Sequence, residues 1–147
     1  MIYTVTLNPA IDNVIQTEAF QKGHINRACR EYIFPGGKGV NVSLVLERLG
    51  METVALGFLA GATGWAYQAL LQENGLNHGF FFLDRGFTII NPQVSAEEDT
   101  EINGGGPGFR DRDLDQLCGQ LAYAGSGDCV VLLGSVVSRI SGVSSTY

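Results

Sequence analysis

The feature that most constrains the fold of this chain is the alternation of short apolar runs with stretches of helical periodicity. The runs Ile2 to Leu7, Thr53 to Leu59 and Cys129 to Leu133 predict strands, and the last is continuously apolar, as in a strand buried on both faces. Between such runs, apolar residues recur at helical spacing, first at Val42, Val45, Leu46 and Leu49. Alternating strands and helices favour an α/β fold with a mostly parallel central sheet flanked by helices.

Helix boundaries are predicted from capping residues and glycines. The first helix should end at Gly50, and Thr63 should cap a second helix that runs to Asn74 and ends at Gly75. A third helical stripe is formed by Leu114, Leu117, Cys118 and Leu121.

Two polar segments fit neither face of such a sheet. Segment 13–34 contains the strand-like pieces Val14 to Thr17 and Ala28 to Phe34, and segment 87–103 contains Phe87 to Val94 and Thr100 to Asn103. Each segment predicts an antiparallel pair, and together they predict a small antiparallel β lid that protrudes from the main sheet.

Charge and cysteine usage narrow the classes of partner and compartment. The 147 residues carry a formal net charge of -6, so no surface for nucleic acid or for an anionic membrane is expected. Three cysteines without a Cys-x-x-Cys spacing predict buried or half-buried thiols in a reducing compartment. The chain shows no targeting leader and no apolar run long enough to span a bilayer, so a cytoplasmic location is expected.

The segment Pro35-Gly36-Gly37-Lys38-Gly39 predicts a loop that opens the first helix. Its glycines would let backbone N–H groups approach a ligand at the positive end of the helix. A Walker loop is excluded because Gly39, and not Ser or Thr, follows Lys38, and a dinucleotide fingerprint fails because Val42 stands where its last glycine would fall. By itself the loop is as compatible with a plain turn as with a ligand site.

Several further segments occur in one order along the chain: Thr6-Leu7-Asn8-Pro9-Ala10-Ile11-Asp12, Pro35 to Ser43, Leu49-Gly50, Gly57-Phe58-Leu59, Glu101-Ile102-Asn103-Gly104 before Pro107, and Leu133-Gly134-Ser135. In this combination the chain resembles the phosphofructokinase-B family of ribokinase-like carbohydrate kinases. The Thr-Leu-Asn-Pro opening is most similar to the 1-phosphofructokinase and tagatose-6-phosphate kinase branch.

The resemblance implies the N-terminal part of a ribokinase-like domain over residues 1–135, followed by a divergent tail at 136–147. It implies an ATP- and Mg²⁺-dependent kinase that phosphorylates a phosphorylated ketohexose, such as fructose 1-phosphate or tagatose 6-phosphate, and a homodimer formed through the β lid. In this family the catalytic base and most of the ATP site belong to a C-terminal half that this chain does not include. The chain alone is therefore expected to be inactive and unable to bind ATP in full.

Six residues match the sugar site of the family: Asp12, Gly36, Gly37, Lys38, Asn41 and Ser135. The Asp12 carboxylate would accept hydrogen bonds from sugar hydroxyls, and the two glycines would bring the backbone close to the sugar. The Asn41 amide would both donate hydrogen bonds to the sugar and accept them from it. The alternatives remain a turn-forming Asp12, a solvated Lys38 and a local backbone cap by Asn41.

The chain departs from the family pattern in the second lid segment. Ile89 and Gln93 stand where family members have an arginine and a lysine, and the arginine resembles an anchor for the substrate phosphate. Trp65 occupies a position that is often acidic in relatives, and Val136-Val137 replaces Leu-Pro. The sequence 125–128 resembles the family's Gly-Ala-Gly-Asp segment, but it precedes a strand and not a helix, so it predicts a turn.

Two other functions stay open from the sequence. The chain could be a non-catalytic remnant that keeps only sugar binding or dimerisation. An ordinary nucleotide-binding α/β domain is disfavoured by the failed dinucleotide fingerprint.

Overall fold

The computed structural model describes residues 1–135, which form eight strands and three helices. In chain order these elements are β1 (Ile2–Thr6), β2 (Ala10–Gln16), β3 (Arg30–Gly36), α1 (Lys38–Arg48), β4 (Thr53–Ala60), α2 (Gly61–Glu73), β5 (Phe81–Leu83), β6 (Ile89–Ser95), β7 (Thr100–Glu101), α3 (Asp111–Leu121) and β8 (Cys129–Leu132).

The central sheet has the strand order β5-β4-β1-β8, and every neighbouring pair is parallel. Apolar clusters cover both of its faces because successive β4 side chains point to opposite sides. One cluster contains Leu56 and Phe58 and extends to Phe109 and Leu117. The other contains Ala55, Leu59, Val40, Tyr67 and Leu71. The predicted α/β architecture is confirmed.

The lid is a second sheet with the order β3-β2-β6-β7. Its outer pairs, β2 with β3 and β6 with β7, are antiparallel, as predicted. The parallel pairing of β2 with β6, which joins the two pairs into one sheet, was not predicted. Because β2 already begins at Ala10, Asp12 lies within a strand, between Phe34 and Asn91 in register.

The predicted loop at residues 35–39 is almost absent. Pro35 and Gly36 end β3, α1 begins at Lys38, and Gly37 alone, with a φ of 123°, connects them. Only glycine adopts this backbone conformation without strain.

The predicted apolar stripe of α1 is wrong, because the helix buries a different face. The buried face consists of Gly39, Val40 and Ser43, whereas Val45 and Leu49 are 54% and 66% exposed. Small residues let the helix approach β1 closely, and Ser43 Oγ lies 2.7 Å from Thr4 Oγ1 in a buried hydrogen bond.

Three other local predictions need correction. The N-cap of α2 is Ala60, since β4 runs directly into the helix, and Thr63 lies inside its first turn. The strand β8 is not buried on both faces, because Val130 and Leu132 are 46% and 66% exposed and, within residues 1–135, β8 pairs with β1 alone. All three cysteines are exposed and free.

Two further predictions are confirmed. Gly75 follows the end of α2 with a φ of 67°. Residues 125–128 form a turn, in which the Asp128 N–H donates to the Gly125 carbonyl at 3.1 Å. The predicted divergent tail, 136–147, lies outside the described residues. Across residues 1–135, no helix has the length and apolar character required to cross a membrane.

Candidate functional site

A cavity of about 460 Å³ opens at the carboxyl end of β1, between the lid sheet and the first turn of α1. This volume lies in the range of small-molecule sites, and the carboxyl end of a parallel sheet is where α/β proteins bind ligands. The described residues that line it are Thr6, Asn8, Ala10, Asp12, Gly37, Lys38, Asn41, Ile89, Asn91, Gln93, Asn103, Gly104, Gly134 and Ser135.

The structure brings five of the six residues predicted from the sequence together at this cavity. Asp12 projects from β2, Lys38 and Asn41 lie in the first turn of α1, and Gly37 and Ser135 complete the set along the wall. Gly36 is not among the lining residues and lies directly behind Asp12. The part each residue plays in sugar binding stays a prediction.

Asp12 is held on two sides. Asn91 Nδ2 donates to Asp12 Oδ1 at 3.3 Å. On the other side, a Cβ added at Gly36 would lie 2.1 Å from Asp12 Oδ2, so a larger residue there would displace the carboxylate. Burial raises the pKa of Asp12, the hydrogen bond from Asn91 lowers it in part, and the Glu101 carboxylate raises it.

A buried tyrosine fixes the short connection between β3 and α1. The Tyr67 hydroxyl donates to the Gly36 carbonyl at 2.7 Å, and the Tyr67 side chain is fully buried. Desolvation, together with the Asp12 charge, raises the pKa of Tyr67 well above its ordinary value, so the hydroxyl stays protonated and remains a donor. Gly36 and the start of α1 are therefore attached to the core through α2.

Sequence reasoning missed several polar residues of the cavity wall. Asn91 and Gln93 come from β6, and Asn103 and Gly104 come from the segment after β7. Thr6 and Asn8 each keep a buried side-chain oxygen without a hydrogen-bond partner. A usable signal existed for four of them, because the motifs that carry the family resemblance include Thr6, Asn8, Asn103 and Gly104. The role of Asn91 depends on the pairing of β6 with β2, which no local pattern reveals.

Ile89 forms an apolar part of the wall. It is 4% exposed, and a Cβ added at Gly104 would lie 2.3 Å from its Cγ2. Among the described residues that line the cavity, Asp12 and Lys38 carry the only formal charges. This part of the site is thus dominated by amides, hydroxyls and backbone groups, which suit a ligand rich in hydroxyl groups.

The described residues do not provide a magnesium site. Within residues 1–135, no three His, Cys, Asp or Glu side chains are grouped so that they could hold a metal ion. The cavity wall contributes one carboxylate, that of Asp12. The residues present therefore do not fit Mg²⁺, and no chemical step through the metal or through ATP follows from them.

Comparison with known proteins gives one consistent family. The pfkB family carbohydrate kinases match residues 5–144. The 1-phosphofructokinase of Bacillus subtilis (strain 168) is 41% identical over 140 residues, which are 95% of this chain and 46% of that protein. The chain spans about half the length of the curated relatives it matches.

Solved structures agree with this comparison. Escherichia coli phosphofructokinase-2 in complex with fructose-6-phosphate superposes with a TM-score of 0.87 at 26% identity, over 95% of this chain and 47% of that one. The tetrameric inhibited form of the same enzyme gives a TM-score of 0.85 at 26% identity, over 95% and 47%. The chain belongs to the pfkB family of carbohydrate kinases.

Proposed function

We propose that this chain forms the sugar-binding part of an ATP-dependent sugar-phosphate kinase. The reaction is transfer of the γ-phosphoryl group of ATP to a hydroxyl of a phosphorylated ketohexose, such as fructose 1-phosphate or tagatose 6-phosphate. The observation that carries the proposal is the cavity in which Asp12, Asn41 and the start of α1 meet at the carboxyl end of β1. It occurs in a fold shared with an enzyme that has been solved with fructose-6-phosphate.

Each predicted residue has a distinct role in the proposal. The Asp12 carboxylate accepts hydrogen bonds from two sugar hydroxyls, and Asn41 both donates to and accepts from a hydroxyl. Lys38 contributes the positive charge of the wall, and Gly37 brings the backbone close to the sugar. Ser135 faces the sugar from the end of the central sheet. Gly36 contributes indirectly, because its missing side chain leaves room for Asp12.

The catalytic base, the ATP-binding residues and the Mg²⁺ ligands are expected outside residues 1–135. Asp12 is the sole carboxylate of the described cavity wall, and it is assigned to the sugar hydroxyls. The 147-residue chain alone should therefore show no ATP-dependent phosphorylation of fructose 1-phosphate, and measurable turnover by the pure chain would contradict this division of roles. The proposal places the chain in the cytoplasm, which agrees with its three free thiols.

The proposal also includes a homodimer formed through the lid. The lid exposes apolar side chains that a monomer would leave in water, among them Phe20 at 49%, Ile25 at 88% and Ile33 at 53%. Exposed apolar side chains of this kind favour association with a second copy.

Titration calorimetry with fructose 1-phosphate tests the sugar site. Asp12→Ala should reduce the affinity by roughly tenfold or more, because ligand hydroxyls lose a charged acceptor. Asp115→Ala, on the exposed face of α3, removes the same charge elsewhere and should leave binding unchanged. Equal binding by Asp12→Ala and the unaltered chain would refute the assignment.

A further inference from the structure

Asn91 uses both ends of its side-chain amide. It lies on β6 in register with Asp12 on β2, so the two side chains share one face of the lid sheet. Its Nδ2 donates to Asp12 Oδ1 at 3.3 Å, and its Oδ1 accepts the backbone N–H of Gly104 at 3.2 Å. Because a backbone N–H can only donate, the amide oxygen must face Gly104 and the NH₂ group must face Asp12.

This arrangement limits the freedom of the Asp12 carboxylate. One oxygen is bound by Asn91, and the other lies against Gly36, where a Cβ would be 2.1 Å away. Asn91 is tied in turn to Gly104, which follows the last lid strand and also lines the cavity. The carboxylate is therefore held by one lid strand on one side and by the connection to α1 on the other.

We infer that Asn91 is a positioning residue that orients the Asp12 carboxylate toward the sugar hydroxyls. The inference rests on the proposed function, since it gives Asn91 a task only if Asp12 binds the ligand. The hydrogen bond from Asn91 also lowers the pKa of Asp12, against the burial that raises it. Other ionisable groups around Asp12 are Glu101 on β7, Lys38 in α1 and Tyr67 in α2.

Two substitutions separate orientation from simple packing. Asn91→Leu keeps the approximate shape and removes both hydrogen bonds. Asn91→Asp keeps an oxygen for the Gly104 N–H but places a second carboxylate against Asp12. A purely structural role predicts that Asn91→Asp is the milder change, whereas a positioning role predicts that it is at least as harmful to binding. The control is Asn13→Leu, which removes a half-buried lid amide that donates to Glu31 on the neighbouring strand.

Calorimetry with fructose 1-phosphate between pH 4 and pH 8 gives the first readout. Asn91→Asp should weaken binding roughly tenfold or more at pH 7, and both variants should lose binding at a higher pH than the unaltered chain, because each raises the pKa of Asp12. Asn13→Leu should change neither the affinity nor the pH at which binding is lost. Unchanged affinity and an unchanged pH profile in Asn91→Asp would overturn the inference.

Carbon-13 NMR of the Asp12 carboxyl group gives a second readout that needs no ligand. The titration midpoint of Asp12 should move upward in Asn91→Leu and stay in place in Asn13→Leu. A midpoint unaffected by Asn91→Leu overturns the role of Asn91, whether or not sugar binds. Failure of the unaltered chain to bind fructose 1-phosphate, with a midpoint that does move, would instead count against the proposed function alone.

Discussion

At the scale of single residues, the glycines of the Pro-Gly-Gly-Lys-Gly motif have different tasks. Gly36 leaves space for the Asp12 carboxylate, and its carbonyl is fixed by the Tyr67 hydroxyl. Gly37 takes a φ of 123°, which lets the chain pass from strand to helix within one residue. Gly39 lies against Thr6 on β1. The motif thus serves the packing around the site as much as any direct contact with a ligand.

The raised pKa of Asp12 predicts how its substitution changes stability with pH. A carboxyl group with a raised pKa binds its proton more tightly in the folded chain, so its ionised form disfavours folding as the pH rises above the ordinary value of 3.8. Asp12→Asn should therefore raise the melting temperature at pH 7, and the gain should shrink as the pH approaches 3.8. Thermal melts at several pH values measure this, with Asp115→Asn as the exposed control. If Asp12→Asn instead lowered the melting temperature, and did so more strongly at higher pH, the raised pKa of Asp12 would be contradicted.

Ile89 offers a direct test of specificity for phosphorylated sugars. It lines the cavity wall, at the position where the family resemblance implies an arginine. Ile89→Arg should raise the ratio of the affinity for fructose 1-phosphate to the affinity for fructose about tenfold, because the guanidinium adds a charge-assisted contact to the phosphate. Its neighbour Ile90 is 45% exposed and points to the other face of the lid strand, so Ile90→Arg should leave the ratio unchanged. Calorimetry with both sugars measures this ratio, and an unchanged ratio in Ile89→Arg would contradict the match of Ile89 to the family's arginine.

At the scale of elements, the site depends on how closely α1 approaches β1. Gly39 and Ser43 form the contact face of the helix, where a larger side chain would push it away from the strand. A Cβ added at Gly39 would lie 2.5 Å from Thr6 Oγ1 and 3.1 Å from the Val5 carbonyl oxygen. Because Lys38 and Asn41 are in the first turn of the same helix, a shift of α1 would also move them relative to Asp12.

Two glycine substitutions in helices should have opposite effects. Gly39→Ala should destabilise the chain by about 1–3 kcal/mol, since the added methyl group meets β1. In α3 a Cβ added at Gly119 meets nothing within 4 Å, so Gly119→Ala should stabilise the chain by about 0.5–1 kcal/mol through helix propensity. Urea titrations measure both. If Gly39→Ala proved stabilising too, the close approach of α1 to β1 would be in question.

At the scale of the whole molecule, two of the exposed apolar regions could serve as contacts between chains. The strand β8 leaves Val130 and Leu132 uncovered at one end of the central sheet, and the lid leaves Phe20 and Ile25 uncovered at its tip. An exposed strand edge and an exposed apolar patch both favour association between chains.

Association through the lid can be separated from association through the strand edge. Ile25 is 88% exposed, so Ile25→Asp should not disturb folding, but it should shift the chain toward monomer in sedimentation velocity if the lid is the interface. Leu49→Asp, at the exposed C-cap position of α1, should leave the sedimentation coefficient unchanged. A monomer obtained with Leu132→Lys but not with Ile25→Asp would place the interface at β8 and refute the lid dimer.

The sequence by itself determined the kind of fold, the family and five of the residues that line the cavity, because these depend on local periodicity and on motifs read in order. Asp12 belongs to one motif and Lys38 and Asn41 to another, and the two motifs meet at one cavity. The tertiary structure alone decided which helix face is buried, how Gly36 fits against Asp12, and that Asn91 lies across from Asp12. The physical reason is that strand pairing and close packing join residues distant in sequence, and no local pattern records which strand a segment will choose as its neighbour.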